Sequence, residues 1–264
     1  MNIFTFEIKS NLKSTLIWML VLCLVAFLFL QIFPIFYESS ASLIEMLQNY
    51  PKELLIALDF DPDQFFTVLG FYSFIAVYIQ LMVAFQGIIV GLGTMGRETR
   101  TRTSEFLLTK PVTRPMVFAM KVASIFTILA VTNLVLLIAT IFGLGVINEP
   151  YSMGGLLLVS LSTFILQLIF ASIGIFCGAT FRKLRSIAPV SLSVVFGFFV
   201  LNMLKGVFDD PWIRYFSPFQ FFDKFDIIST RSFEPVFLMW SLALIVLLVG
   251  SSFIIFVRKD IHAL

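Results

Sequence analysis

The chain has 264 residues, 59% of them hydrophobic and only 13% charged, with a mean hydropathy of +1.00. No soluble domain of this size buries that much apolar surface around one core, so the lipid bilayer is its solvent. The net charge of +2 is spread over several short basic blocks rather than one stripe with interleaved aromatics, which argues against a nucleic-acid surface.

In chain order, residues 1–14 interleave Ile3, Phe4, Phe6 and Ile8 with Glu7, Lys9 and Lys13, the pattern of a short amphipathic segment lying along the membrane interface. An apolar run over 15–37 is too long for a signal-peptide core and reads as a retained first span. An acidic excursion follows, with Glu38, Glu45, Glu53, Asp59, Asp61 and Asp63 against a single lysine, Lys52. Spans are then expected at 65–95 and 117–147, joined by a basic loop over 97–121. Asn148, Glu149 and Pro150 end the third span; 154–181 is the fourth, closed by Arg182, Lys183 and Arg185, and 187–207 the fifth. A second excursion rich in aromatics, including Trp212, Tyr215, Phe216, Phe219, Phe221 and Phe222, suggests short external helices or an interfacial anchor before the last span at 235–257. The expected fold is therefore an all-α integral membrane protein of six spans and one domain, 1–264, with an interfacial amphipathic start.

The distribution of basic residues orients it. Lys9, Lys13, Arg97, Arg100, Arg102, Lys110, Arg114, Lys121, Arg182, Lys183, Arg185, Arg258 and Lys259 fall on one side, against Lys52, Lys205, Arg214, Lys224 and Arg231 on the other. The richer side is cytoplasmic by the positive-inside rule, which puts both termini there.

Chemistry-bearing groups are few. The span centres carry no charge, which disfavours an ion-coupled transporter or proton pump. Cys23 and Cys177 lie in apolar runs as packing residues, and His262 is the single histidine, so neither a histidine metal site nor a catalytic triad has its parts. No catalytic, cofactor or metal residue is assigned. Gln80, Gln86, Asn133, Gln167 and Asn202 lie inside spans, where they either bond neighbouring helices or line a path. Gly87 with Gly91, and Gly174 with Gly178, have the four-residue spacing that lets helix backbones approach closely.

The basic loop is the most informative stretch. Glu98 and Arg102, four apart, support a short helix there, and Phe106, Leu107 and Leu108 before Pro111 give it an apolar surface outside the hydrocarbon. Such a surface seeks either lipid headgroups or a protein partner. Arg97-Glu98, Thr103, Glu105 with Phe106-Leu107-Leu108, Pro111 and Arg114 resemble the cytoplasmic segment between the second and third spans of type-2 ABC transporter permeases. Ser217-Pro218-Phe219 to Asp223, before the last span, is also similar to a recurrent pattern of that family.

The resemblance implies a permease subunit of a bacterial ABC exporter in the cell membrane. It would pair with a second copy or a sister permease and be driven by a separate ATPase subunit carrying ATP and Mg. Arg97, Glu98, Arg102, Thr103, Glu105, Phe106, Leu107, Leu108, Pro111 and Arg114 would form the coupling helix. The dipeptide Gly-Lys of a P-loop occurs nowhere in the chain, so it has no such ATP site of its own. No residue pattern singles out a substrate. Two other readings share the span plan: a non-transporting immunity or sensor subunit, and a membrane-embedded lipid-modifying enzyme. The second would need acid/base or metal-binding groups at span ends; Asp59, Asp61 and Asp63 are the nearest to such a set, with Pro62 between two of them.

Overall fold

The computed structural model describes residues 3–38, 50–51, 54–55, 65–97, 100, 113–147, 149–181, 186–204 and 214–258. Among these the secondary structure is helical, in the order α1 (Ile3–Leu30), α2 (Phe33–Glu38), α3 (Val68–Met95), α4 (Arg114–Ile147), α5 (Met153–Thr180), α6 (Ala188–Met203), a 3-10 turn (Pro218–Gln220), α7 (Lys224–Thr230) and α8 (Pro235–Arg258). Five helices are long and apolar enough to cross a membrane, α1 being extended to Glu38 by α2, and α6 is a shorter sixth. The chain is an all-α membrane protein.

Local sequence explains where the helices begin. Thr67 caps α3 by accepting the Gly70 N–H at 3.0 Å, and Ser152, just after Pro150, caps α5 by accepting the Gly155 N–H at 3.3 Å. Pro115, Pro189 and Pro235 occupy first turns, where a missing N–H leaves no helical bond unmade.

One expectation changes in detail. The start of the chain is not a separate interfacial segment, because α1 runs without a break from Ile3 to Leu30. At about 1.5 Å per residue its 28 residues extend about 42 Å, beyond the roughly 30 Å hydrocarbon layer, so the interleaved charges fall on a helix end that already projects from it. The described part of the fifth apolar helix is Ala188–Met203, 16 residues or about 24 Å, and 205–207 lie outside the described residues.

The core is the pair α3 and α5, the most buried of the helices, lying side by side. Around it α1 and α4 pack together along one flank, α8 lies on α5, and α6 lies on α3. Glycine sets the spacing of the central pair. A Cβ on Gly87 would lie 2.6 Å from the Gln167 carbonyl oxygen, and one on Gly174 would lie 2.6 Å from the Ile88 carbonyl oxygen and 2.8 Å from Leu92 N. Gly91 meets the backbone of Ala171 and Ile175 in the same way, and Gly178 meets Met95 and Gly96. The two glycine pairs thus face each other across one seam, backbone on backbone. In lipid, where burial of apolar surface drives no helix association, this close approach supplies dispersion contact over the whole seam.

Substituting alanine at Gly174 forces these backbones apart and is expected to lower the thermal transition of the detergent-solubilised protein, by about 2 kcal/mol or more in stability. Gly197 in α6, which has no atom within 4 Å of an added Cβ, is the control and should tolerate alanine within about 0.5 kcal/mol. Fluorescence-detected size-exclusion after heating reads both, and equal losses would sink the seam assignment.

Candidate functional site

The loop singled out by its residues leaves the bundle at Arg97, just past α3, and returns at Arg114, the first residue of α4. Glu98, Arg102, Thr103, Glu105, Phe106, Leu107, Leu108 and Pro111 lie outside the described residues. So do Asp59, Asp61, Asp63, Arg182, Lys183, Arg185, Lys205, Trp212 and His262. Both described ends of the loop are held by specific bonds.

At the α3 end a cluster of charges is buried between three helices. Glu7 of α1 is 1% exposed and Lys121 of α4 is fully enclosed. The Lys121 ammonium donates to Glu7 Oε1 at 2.6 Å and to the Thr94 carbonyl at 2.8 Å. Arg97 approaches the other carboxylate oxygen, Oε2, at 3.1 Å, and also donates to Ser10 Oγ. Its guanidinium stands 5.9 Å from the Phe6 ring centre. Asn11 completes the join, donating to the Glu7 carbonyl at 2.9 Å and to Thr94 Oγ1 at 3.1 Å. One carboxylate is therefore shared by two cations, one on each stem of the loop. Deleting a single member of such a pair costs about 3–5 kcal/mol because a charge is left uncompensated, whereas neutralising both partners is often tolerated.

At the α4 end, Arg114 donates to the Val257 carbonyl at 2.9 Å. This places a cation at the C-terminus of α8, where orphan carbonyls and the helix dipole favour it.

The polar residues within the spans form a second group, at mid-bundle. Gln167 of α5 donates to Gln86 Oε1 of α3 at 2.9 Å and accepts from Asn133 Nδ2 of α4. Gln86 in turn donates to Thr132 Oγ1 at 3.1 Å, and Asn133 also donates to the Leu129 carbonyl at 3.0 Å. Three helices are thereby joined by neutral amides, which hydrocarbon tolerates when each is paired. Gln80 bonds Thr163 at 3.4 Å, across α3 and α5. Asn202 is buried near the end of α6, away from the other four, and its carbonyl accepts from Gln220 Nε2 at 3.2 Å.

The aromatic excursion packs inward at the end of the bundle opposite the loop. Phe219, Phe221 and Phe222 are buried, with Phe219 against Phe170 at 5.2 Å and Phe221 stacked on Phe237 at 6.0 Å. Gln220 also donates to the Leu201 carbonyl at 3.1 Å, and Ser217 donates to the Phe198 carbonyl at 3.0 Å. The Gln220 bonds reach carbonyls in the last described turn of α6, where helix carbonyls lack intrahelical partners. Asp223 caps α7, accepting from Phe225 N at 2.9 Å and Asp226 N at 3.3 Å. Arg214 pairs with Glu234 at 2.5 Å and stands 4.1 Å over the Phe237 ring. Beneath this cap, burial pushes the Lys224 ammonium down to about 8, partly offset by the charge of Asp223.

Glu7 and Lys121 were legible separately, as part of an amphipathic start and as a marker of orientation, but not as partners. The only available signal was the position of Lys121 within the first turns of an apolar run, where a lysine needs a counter-charge or a short path to water.

A family model described as ABC-2 family transporter protein matches residues 1–261 of the chain. No curated protein matches it.

The amide ladder predicts an order of stabilities. Gln167→Leu, which strands two partners, should lower stability by about 1 kcal/mol, and Gln80→Leu, which removes one long bond, by less. Thermal denaturation in detergent measures both, and the reverse order would contradict the ladder. Lys224 predicts a pH dependence. An unfolded lysine titrates near 10.5 and this one near 8. Below pH 8 both states hold the proton and the penalty of burying the ammonium is complete. Between about 8 and 10.5 the unfolded state holds more protons, so stability rises with pH. Relative to a Lys224→Met variant, the transition temperature of the wild-type chain should therefore climb across that window; a flat difference would refute it.

Proposed function

Because the chain belongs to the ABC-2 family of transporter proteins, we propose that it serves as the membrane-spanning permease subunit of an ATP-driven exporter. A separate ABC ATPase subunit binds ATP and Mg, hydrolyses the nucleotide and docks on the 97–121 loop. The family is a membrane transport subunit and not itself the ATPase. The permease works as a pair, with a second copy or a sister permease, in the bacterial cytoplasmic membrane, with both termini on the cytoplasmic side.

The observation that carries this reading is the anchoring of the loop's two ends. Arg97 is joined to α1 through Glu7, and Arg114 is joined to the end of α8 through Val257. A body pressing on the loop therefore presses on four helices at once, because α3 and α4 bear the stems and α1 and α8 hold them. A loop serving only to orient the chain needs positive charge and no such bonds.

Glu98, Arg102, Thr103, Glu105 and Arg114 would hold the docked helix by charge-assisted and polar bonds, and Phe106, Leu107, Leu108 and Pro111 would form its buried apolar contact. When two ATPase subunits close on nucleotide, their docked loops move together and tilt the spans. The path opens between the two permease subunits. This placement is supported by the mid-bundle amides Gln86, Asn133 and Gln167, whose hydrogen bonds run to one another within one subunit.

Co-purification of the chain with a co-expressed ABC ATPase subunit, followed by ATP hydrolysis measurements on the complex in lipid vesicles, tests the reading. The permease should change the hydrolysis rate of the ATPase. Replacing Leu107 and Glu105 together by alanine should reduce that change at least tenfold while membrane insertion stays intact. A doubly substituted permease that still drives the full change would sink the assignment of the loop.

A further inference from the structure

We propose that Glu7, Lys121 and Arg97 are positioning residues that bind α1 to the movement of the 97–121 loop, so that α1 and α4 respond to the ATPase as one body. The inference rests on the permease reading given above and extends it to a helix that the loop does not include.

Three observations lead to it. First, the carboxylate of Glu7 divides its two oxygens between the two stems of the loop, with Lys121 on Oε1 at 2.6 Å and Arg97 on Oε2 at 3.1 Å. Neither stem can slide past α1 without separating a buried charge from its partner, a far steeper obstacle than the sliding of apolar side chains over one another.

Second, α1 is joined to α4 along its whole length and not only at this end. Cys23 Sγ donates to the Val135 carbonyl at 3.9 Å, the Phe27 and Phe142 rings stack at 6.0 Å, and Gln31 Nε2 donates to the Gly143 carbonyl at 3.3 Å. A displacement entering at Lys121 therefore reaches the opposite end of the bundle without loss of register between these helices.

Third, the other face of α1 is open. Leu12, Leu16, Ile17, Leu20, Leu24 and Leu28 are exposed, so on that side only lipid or a second subunit resists its motion. The central seam of α3 and α5 is different, since its backbones are in direct contact and have no room to shift. Charge at the loop end, packing along the length and an open outer face together make α1 the helix best placed to move with the loop against a fixed seam.

Placing the ion cluster at the cytoplasmic end also fits its chemistry. Ionised groups at mid-bilayer are costly, whereas at the end of the bundle three charges can be buried among partners while the Arg97 side chain remains 16% exposed. The neutral amide ladder occupies the middle instead. The bundle thus uses ionic bonds where force enters and neutral bonds where the helices only need to stay together.

The test uses the chain in complex with its ATPase, in vesicles of phosphatidylethanolamine and phosphatidylglycerol, with Cys23 and Cys177 replaced by alanine. Spin labels at Leu12→Cys on α1 and Met116→Cys on α4, both exposed positions, report the distance between the two helices near the loop. In the wild-type background that distance should be narrow and the same, within about 2 Å, with and without ATP and vanadate. Single variants such as Glu7→Gln leave a buried cation unpaired and are at risk of misfolding. The variant that decides is therefore Glu7→Gln with Lys121→Met, which removes both buried charges of the pair. It should insert and co-purify at wild-type yield, lose at least tenfold in its effect on ATP hydrolysis, and show a broadened distance that changes on trapping. Lys121→Arg, which keeps the charge, should retain the effect within about threefold.

A double variant that affects hydrolysis within twofold of wild type and keeps the narrow distance would overturn the proposal. So would one that folds but no longer co-purifies, since the cluster would then serve docking. A wild-type chain that neither binds the ATPase nor alters its rate would overturn the permease reading, and this inference with it.

Discussion

The direct backbone contact between α3 and α5 is the constraint on which the rest of the molecule hangs. Gly87 and Gly91 on one helix and Gly174 and Gly178 on the other leave out the Cβ atoms that would strike the facing backbone, so the helices approach closely along the seam. Lipid offers no hydrophobic force to press helices together, and close packing with hydrogen bonding must do it instead. The spacing set by the glycines then decides what polar chemistry is available. It brings Gln86 and Gln167 within 2.9 Å of each other, and their joint amide surface receives Thr132 and Asn133 from α4. A wider seam would leave those amides unpaired in hydrocarbon, which is much less favourable than having none there at all. Glycine pairs and amide ladder are therefore one device.

The same fixed pair determines where the ends lie. With α5 holding α3 in register, Thr94 and Arg97 come to rest beside the first turns of α1 and α4, where Glu7 and Lys121 meet them. At the other end of the bundle the excursion before α8 is tied to α6. There Gln220 donates to the Leu201 and Asn202 carbonyls in the last described turn of α6, and Ser217 donates to the Phe198 carbonyl one turn earlier. Backbone groups at membrane depth need partners within the protein. This explains why an aromatic-rich excursion folds down onto the bundle rather than lying flat on the membrane, and why Phe219 and Phe221 face Phe170 and Phe237 instead of lipid.

Much of this was readable from the residues because the membrane makes the sequence code coarse. Apolar runs must be long, charges must gather at their ends, and small residues at four-residue spacing must face something. What escaped depends on contacts between distant residues. Glu7 and Lys121 are separated by 114 positions, and nothing local distinguishes a lysine that marks orientation from one that is fully enclosed by a carboxylate. The unbroken α1 helix was hidden by the alternation of charged and apolar residues in its first two turns, which suits both a surface helix and a helix whose polar face meets neighbours. Whether an aromatic excursion turns inward depends on partners far along the chain, here Phe170 and Phe237, that no local pattern announces. For Glu98 through Pro111 the residues themselves remain the whole basis of the coupling assignment, and only the anchored ends, Arg97 and Arg114, have described surroundings.

The distribution of bond types carries one more step. The buried contacts of the described bundle change with depth: a buried ion cluster at the loop end, neutral amides in the middle, and buried aromatic rings with backbone bonds at the far end, where the one described ion pair, Arg214 with Glu234, is part-exposed. Each differs in how it responds to displacement. Buried ion pairs resist separation over several ångströms because the Coulomb attraction falls slowly with distance in a poorly polarisable surrounding, whereas amide bonds are lost within about an ångström and ring contacts slide. If the loop receives force as proposed, the ion cluster is the contact that would carry it most faithfully, and the seam the contact that would resist it. A subunit built to stay rigid would place its strongest bonds across its centre. Here they stand beside the loop, the position expected if force is received at that point.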